Sequence, residues 1–143
     1  MRLELEWRER QVRDRSRRYL EFIVDGEPLS GERYRAWDIS VLGWGRPEEE
    51  ERAARRLLLE EPPDMDGRVC LYVAACCGKE CGATTVFVEQ HGAEIVWRDA
   101  AFNCGYDQYH DRDAYRQWPD EPRFDAAEYR RVIEGRPRTA PHD

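Results

Sequence analysis

The 143-residue chain holds one lysine, three serines and no apolar run near the length of a membrane span; its Leu, Ile, Val and Phe together number 26. A transmembrane helix needs roughly 20 consecutive apolar residues, so a helical span is excluded. The serines are Ser16, Ser30 and Ser40, none inside a Gly-x-Ser-x-Gly elbow, which removes that route to a serine nucleophile. Walker loops and dinucleotide fingerprints are also missing: Gly43-Trp44-Gly45 lacks the third glycine and the pattern that follows it. Met1-Arg2-Leu3-Glu4 does not open a signal peptide, so a cytoplasmic protein is expected.

Aliphatic scarcity alone would place a strongly charged chain near disorder. Five Trp and seven Tyr offset it, because each buries a large apolar body while keeping a polar handle. A single folded domain over 1–135 is expected, with 136–143 as a loose tail. The 30 acidic residues against 23 basic ones give a net charge of −7, which disfavours non-specific binding of nucleic acid. The Arg series at 8, 10, 13, 15, 17 and 18 is interrupted by Glu9 and Asp14 and reads as a solvated strand surface.

Leu3, Leu5 and Trp7 alternate with Glu4, Glu6 and Arg8, the period of a half-buried strand. A second strand is expected at about 18–24, ended by the turn pair Asp25-Gly26. Residues 29–38 are ambiguous, and 38–43 read as a short buried strand or turn. Pro47 followed by Glu48–Glu51 starts a helix, Ala53, Ala54, Leu57 and Leu58 form its apolar stripe, and Pro62-Pro63 stops it. Strands are expected at 68–75, 83–89 and 93–98, the last two joined across His91-Gly92. From Asp99 to Arg123 no periodicity is present, and a long loop is expected. Asp125 caps a final helix, with Glu128 completing a capping box, Phe124 and Tyr129 in the staple positions and Gly135 at its end. The fold class is therefore α+β: a small antiparallel sheet, an inserted helix at about 47–60 and a C-terminal helix at about 125–134.

Two constellations could carry chemistry. The five cysteines are expected to be reduced. Cys70, in an apolar run, is expected to act as a small hydrophobe, whereas Cys76-Cys77-Gly78-Lys79-Glu80-Cys81-Gly82 lies between two strands. Cys77 and Cys81 could offer thiolates to zinc, but three residues separate them and no second pair completes a tetrahedral site. No cofactor is expected, and zinc binding or thiol redox chemistry on this loop is the alternative reading. The second constellation is the stretch 102–121, where Tyr106, Tyr109, Tyr115 and Trp118 stand among Asp107, Asp111, Asp113, Asp120 and Glu121. Tyr and Trp are enriched in interface hot spots, and the carboxylates would steer a basic partner.

The stretches Ser40-Val-Leu-Gly-Trp-Gly45, Leu57-Leu-Leu-Glu-Glu-Pro-Pro63, Leu71-Tyr-Val73, Cys81-Gly-Ala83 and Val96-Trp-Arg-Asp99 resemble a family of small uncharacterised actinobacterial proteins, some labelled oxidoreductases. The resemblance covers about 38–134. In that family the strand around Leu71 is followed by Cys-Pro-x-Cys-Gly and then Cys-Gly-Ala, which implies a metal knuckle. This chain has Ala74 and Ala75 at the Cys-Pro positions, and Cys77 and Cys81 fit the remaining two cysteines. The favoured reading is a non-enzymatic, acidic protein-binding module, of the kind that serves as an immunity protein or antitoxin against a basic bacterial toxin. Its partner-binding residues are expected to be Trp44, Tyr106, Asp107, Tyr109, Asp111, Asp113 and Trp118, with no nucleic acid and no membrane involved.

Overall fold

The computed structural model describes residues 1–12, 14–30, 38–43, 46–64, 66–74, 78–103, 110–111 and 121–138, with the backbone alone described for Val12, Asp38, 78–81, Asn103, His110 and Asp111. Strands β1 (Leu3–Val12) and β2 (Arg15–Val24) form an antiparallel hairpin in the register Leu3↔Val24 to Val12↔Arg15. Asp25 and Gly26, at φ +51° and +83°, turn the chain into β3 (Glu27–Pro28), which pairs with β2. Positive φ at both central residues matches the right-handed twist of the flanking strands.

The second sheet holds β4 (Asp38–Ser40), β5 (Val69–Ala74), β6 (Gly78–His91), β7 (Glu94–Asn103), β8 (His110–Asp111) and β9 (Arg123–Asp125). Its order is β4-β5-β6-β7-β8, with β9 also on β7, and every pairing is antiparallel. Helix α1 (Pro47–Leu57) is inserted between β4 and β5, and α2 (Ala126–Glu134) follows β9. The fold is α+β, as the pattern of elements predicts. No helix among the described residues is long and apolar enough to cross a membrane.

Helix ends follow from the sequence. Pro47 occupies the first turn of α1, Glu48–Glu50 its positive end, and Arg55 and Arg56 its last turn. Asp125 accepts the Glu128 amide at 3.0 Å, and the Phe124 and Tyr129 rings stack at 5.5 Å in the staple arrangement. Several sequence-based boundaries move, and α1 ends at Leu57 rather than at about 60. The hairpin strands run to Val12 and begin at Arg15, because cross-strand pairing carries polar residues into the ladder. Strand β6 begins at Gly78 rather than at 83, so 78–82 of the cysteine loop are strand, with a register shift between Val73 and Ala74 absorbing the extra chain. The expected loop from 99 to 123 is interrupted: β7 continues to Asn103, and β8 returns to pair with it.

Trp97 is where the layers meet. Its ring makes edge contacts with Phe22 of the first sheet (5.5 Å) and with Phe124 (5.0 Å) and Tyr129 (6.2 Å). Trp97 Nε1 donates to the Tyr129 hydroxyl at 3.2 Å, and that hydroxyl donates to the Leu57 carbonyl of α1 at 2.7 Å. Both sheets and both helices thus share one core. Burial raises the Tyr129 phenol far above its ordinary value near 10, and burial followed by the nearby Glu21 charge raises Tyr72 likewise. Both phenols are therefore expected to stay silent in an alkaline phenolate titration until the protein unfolds. The unfolded chain ionises them from about pH 10 while the folded chain keeps them protonated, so unfolding free energy should fall as pH rises past 10. Denaturant melts at pH 9 and pH 11 check the sign; equal stability would contradict it.

Candidate functional site

Strand β7 supplies the frame for the aromatic and acidic segment. Its inner edge pairs with β6, and its outer edge is taken at both ends. Phe102 and Asn103 pair with Asp111 and His110, while Glu94, Ile95 and Val96 pair with Asp125, Phe124 and Arg123. Trp97 also donates its amide to the Pro122 carbonyl at 2.9 Å. The chain between 111 and 122 therefore leaves the sheet opposite Phe102 and rejoins it opposite Trp97, five β7 residues away, or about 17 Å at the usual rise per residue. The returning end runs into Phe124 and Tyr129 in the core.

Of the expected partner-binding residues, Trp44, Tyr106, Asp107, Tyr109, Asp113 and Trp118 lie outside the described residues. Asp111 is placed by its backbone on β8, opposite Phe102. Cys77 of the alternative reading also lies outside them, and Cys81 is placed by its backbone on β6. Cys70, on β5, is buried. Among the described residues no three His, Cys, Asp or Glu side chains are grouped to hold a metal.

Charges bordering the β7 edge are already engaged. Arg98 donates to Glu89 through Nε at 3.1 Å and Nη2 at 2.9 Å, which holds the Glu89 carboxyl below its ordinary range and raises Arg98. Arg123 pairs with Glu121 at 3.4 Å. Deeper in, Arg68, with its side chain only 3% exposed, pairs with Asp99 at 2.5 Å, bonds the Asp99 carbonyl at 2.7 Å and lies 4.2 Å from the Phe87 ring centre. Asp99 holds φ +58° at this contact, next to the register shift between Thr85 and Phe87. Arg68 is buried while the Asp99 side chain is 26% exposed, and the pair ties the start of β5 to β7.

Sequence reasoning missed Glu21. It lies within the continuously buried run Tyr19–Val24 and is 1% exposed. Leu20, Phe22 and Val24 enter the core, so alternation turns Tyr19, Glu21 and Ile23 to the other face. The Tyr72 hydroxyl donates to Glu21 Oε1, and the Ser30 hydroxyl donates to Oε2. Tyr19 donates to Oε2 at 3.3 Å, and the amides of Phe22 and Ser30 reach Oε1 at 3.1 and 3.3 Å. Arg10 extends the network by donating to the Tyr19 hydroxyl at 3.2 Å. The hydrogen bonds that Glu21 accepts among the described residues come from hydroxyls and amides, and the Arg8 guanidinium interacts with its charge at longer range. The cage ties β2, the chain after β3 and β5 together, and its enclosure makes Glu21 a positioning group. The available signal was an acid flanked by Leu20 and Phe22 inside an apolar strand.

Comparison with protein-family models, curated proteins and solved structures gives no match to this chain.

Proposed function

We propose that the protein is an acidic protein-binding module whose working surface is the 102–121 segment, with a basic protein as its partner. An immunity protein that neutralises a cognate bacterial toxin is the form that suits this surface. The observation that carries the reading is the anchoring of this segment at both ends of one strand edge, with Trp97 and Phe124 of the core at the returning end. Rigid scaffolds present binding segments in this way. The segment combines Tyr106, Tyr109, Tyr115 and Trp118 with five carboxylates between Asp107 and Glu121, against Arg112 and Arg116. Aromatics would supply desolvated contact area and the acidic excess would steer encounter.

The test uses a basic protein captured from native lysate, purified and measured by surface kinetics. Replacing Tyr109 and Trp118 by Ala should raise its dissociation rate about tenfold or more and leave the melting temperature of this chain unchanged. Replacing Asp111 and Asp113 by Asn should chiefly lower the association rate and flatten its salt dependence. An aromatic double variant that melts early yet retains capture would refute the surface. Co-expression with the captured protein should then relieve its toxicity, and unchanged toxicity would refute the immunity role.

A further inference from the structure

Strand β1 ends its sheet, whose order is β1-β2-β3, and no other strand among the described residues pairs with its outer edge. The hydrogen-bond phase of the hairpin shows which residues face that edge. The Arg2 carbonyl accepts the Asp25 amide, so even-numbered positions of β1 bond to β2. Opposite Trp7, Leu20 sends its amide away to the Leu42 carbonyl, and opposite Leu5, the Phe22 carbonyl accepts from Leu29. Leu5 and Trp7 therefore direct their own N–H and C=O groups outward. A groove of about 680 Å³ lies between the Arg2–Leu5 end of this edge and α2, lined in part by Val132, Arg131 and Glu128. A long strand edge of this kind is a template for another strand.

The sequence along the edge identifies the occupant. The polar face of β1 reads Glu4, Glu6, Arg8, Arg10, a series whose charges invert about Trp7. In an antiparallel pairing of two copies centred on Trp7, Glu6 meets Arg8 of the second copy and Glu4 meets its Arg10, and the two-fold repeats both pairs. Shifting the centre to Leu5 opposes Glu4 with Glu6, to Glu6 opposes Glu6 with itself, to Arg8 opposes Arg8 with itself, and to Glu9 opposes Arg8 with Arg10. The Trp7-centred register also makes Trp7 a mutual hydrogen-bonded pair, as the outward phase of its backbone requires. It leaves the charged pairs in the non-hydrogen-bonded positions, where side chains approach most closely. Glu9 of the second copy then falls beside Leu5, at the groove that Arg131 borders. We propose that β1 is a homodimerisation edge: two copies join through antiparallel β1 strands centred on Trp7, making one continuous sheet from two hairpins. The interface is self-complementary, as a two-fold contact must be. It lies on the first sheet, whereas the proposed partner-binding segment joins β7 of the second.

Light scattering on a size-exclusion column, over a concentration series into the high-micromolar range, tests this. The native chain should give twice the chain mass. Glu6→Arg alone and Arg8→Glu alone should each be monomeric, because each opposes like charges across the two-fold. An equimolar mixture of the two variants should regain the dimer mass, since one copy then presents two arginines to two glutamates of the other. The Glu6–Arg8 pair within one strand, at 2.9 Å, cannot produce that complementation. A native monomer, a dimer that survives either reversal, or a mixture that stays monomeric would each overturn the proposal. Circular dichroism checks folding of each variant. Where a reversal fails to fold, Glu6→Gln and Arg8→Gln replace it and should raise the dimer dissociation constant roughly tenfold; an unchanged constant would overturn the proposal.

Discussion

Glu21→Ala is expected to lower the unfolding free energy by about 3–5 kcal/mol, and Glu21→Gln by about 1–2 kcal/mol. The difference follows from what each leaves behind. Alanine removes the acceptor used by the Tyr72 and Ser30 hydroxyls and by the Ser30 amide, all buried. Each orphaned buried group costs about 1–3 kcal/mol, and the vacated volume adds a cavity term. Glutamine keeps the shape and one acceptor oxygen, and hydroxyls rotate to meet an amide. A domain of this size holds about 5–15 kcal/mol in all, so the alanine variant should sit near the edge of folding at 37 °C. Tyr72→Phe removes a single donor and should fall between native and alanine. Urea melts followed by circular dichroism measure all three. An alanine variant within about 0.5 kcal/mol of native would show that the cage does not organise the sheets.

Local chemistry was legible and long-range chemistry was not. The Pro47 start of α1, the Asp125 cap of α2, the staple of Phe124 on Tyr129 and the Asp25-Gly26 turn depend on residues a few positions apart, and the structure has them where the pattern puts them. Burial of Leu3 and the alternation of Val86 and Val88 against Phe87 follow from the two-residue period of a strand. Glu21 was invisible for the opposite reason. Its cage needs Ser30 nine residues on and Tyr72 fifty-one residues on, and nothing local marks those donors. Arg68 is the same case, pairing with Asp99 thirty-one residues away. Most of the stretch 99–123 lies outside the described residues; among those described, His110 and Asp111 of β8 and Arg123 of β9 pair with β7, runs too short to carry a readable period. Most of the expected partner-binding residues fall outside the described residues, so that surface rests on the placement of its ends.

Gly43→Ala should be the most disruptive glycine substitution among those placed on the turns of this fold, costing about 3–5 kcal/mol and lowering the melting temperature by roughly 10 °C or more. Gly43 follows the segment that joins the two sheets, where the Leu20 amide donates to the Leu42 carbonyl at 2.7 Å. Two costs combine there. Its φ of +101° lies outside the range that residues with a Cβ adopt readily. An added Cβ would also stand 2.6 Å from Tyr19 Cα and 2.8 Å from the Leu20 amide nitrogen, both backbone atoms of β2 that no rotamer change can move aside. Relief of that overlap has to push the 42–43 segment off β2, lengthening the Leu20–Leu42 hydrogen bond and shifting Tyr19, which donates to Glu21. Gly26→Ala separates the two costs, because Gly26 has φ +83° and nothing within 4 Å of an added Cβ. That variant carries backbone strain alone and should lose about 1–2 kcal/mol. Denaturant melts of both variants read the contrast. Equal losses would mean that conformational strain, rather than the contact with β2, sets the requirement for glycine at position 43, and that the two sheets tolerate separation at this junction.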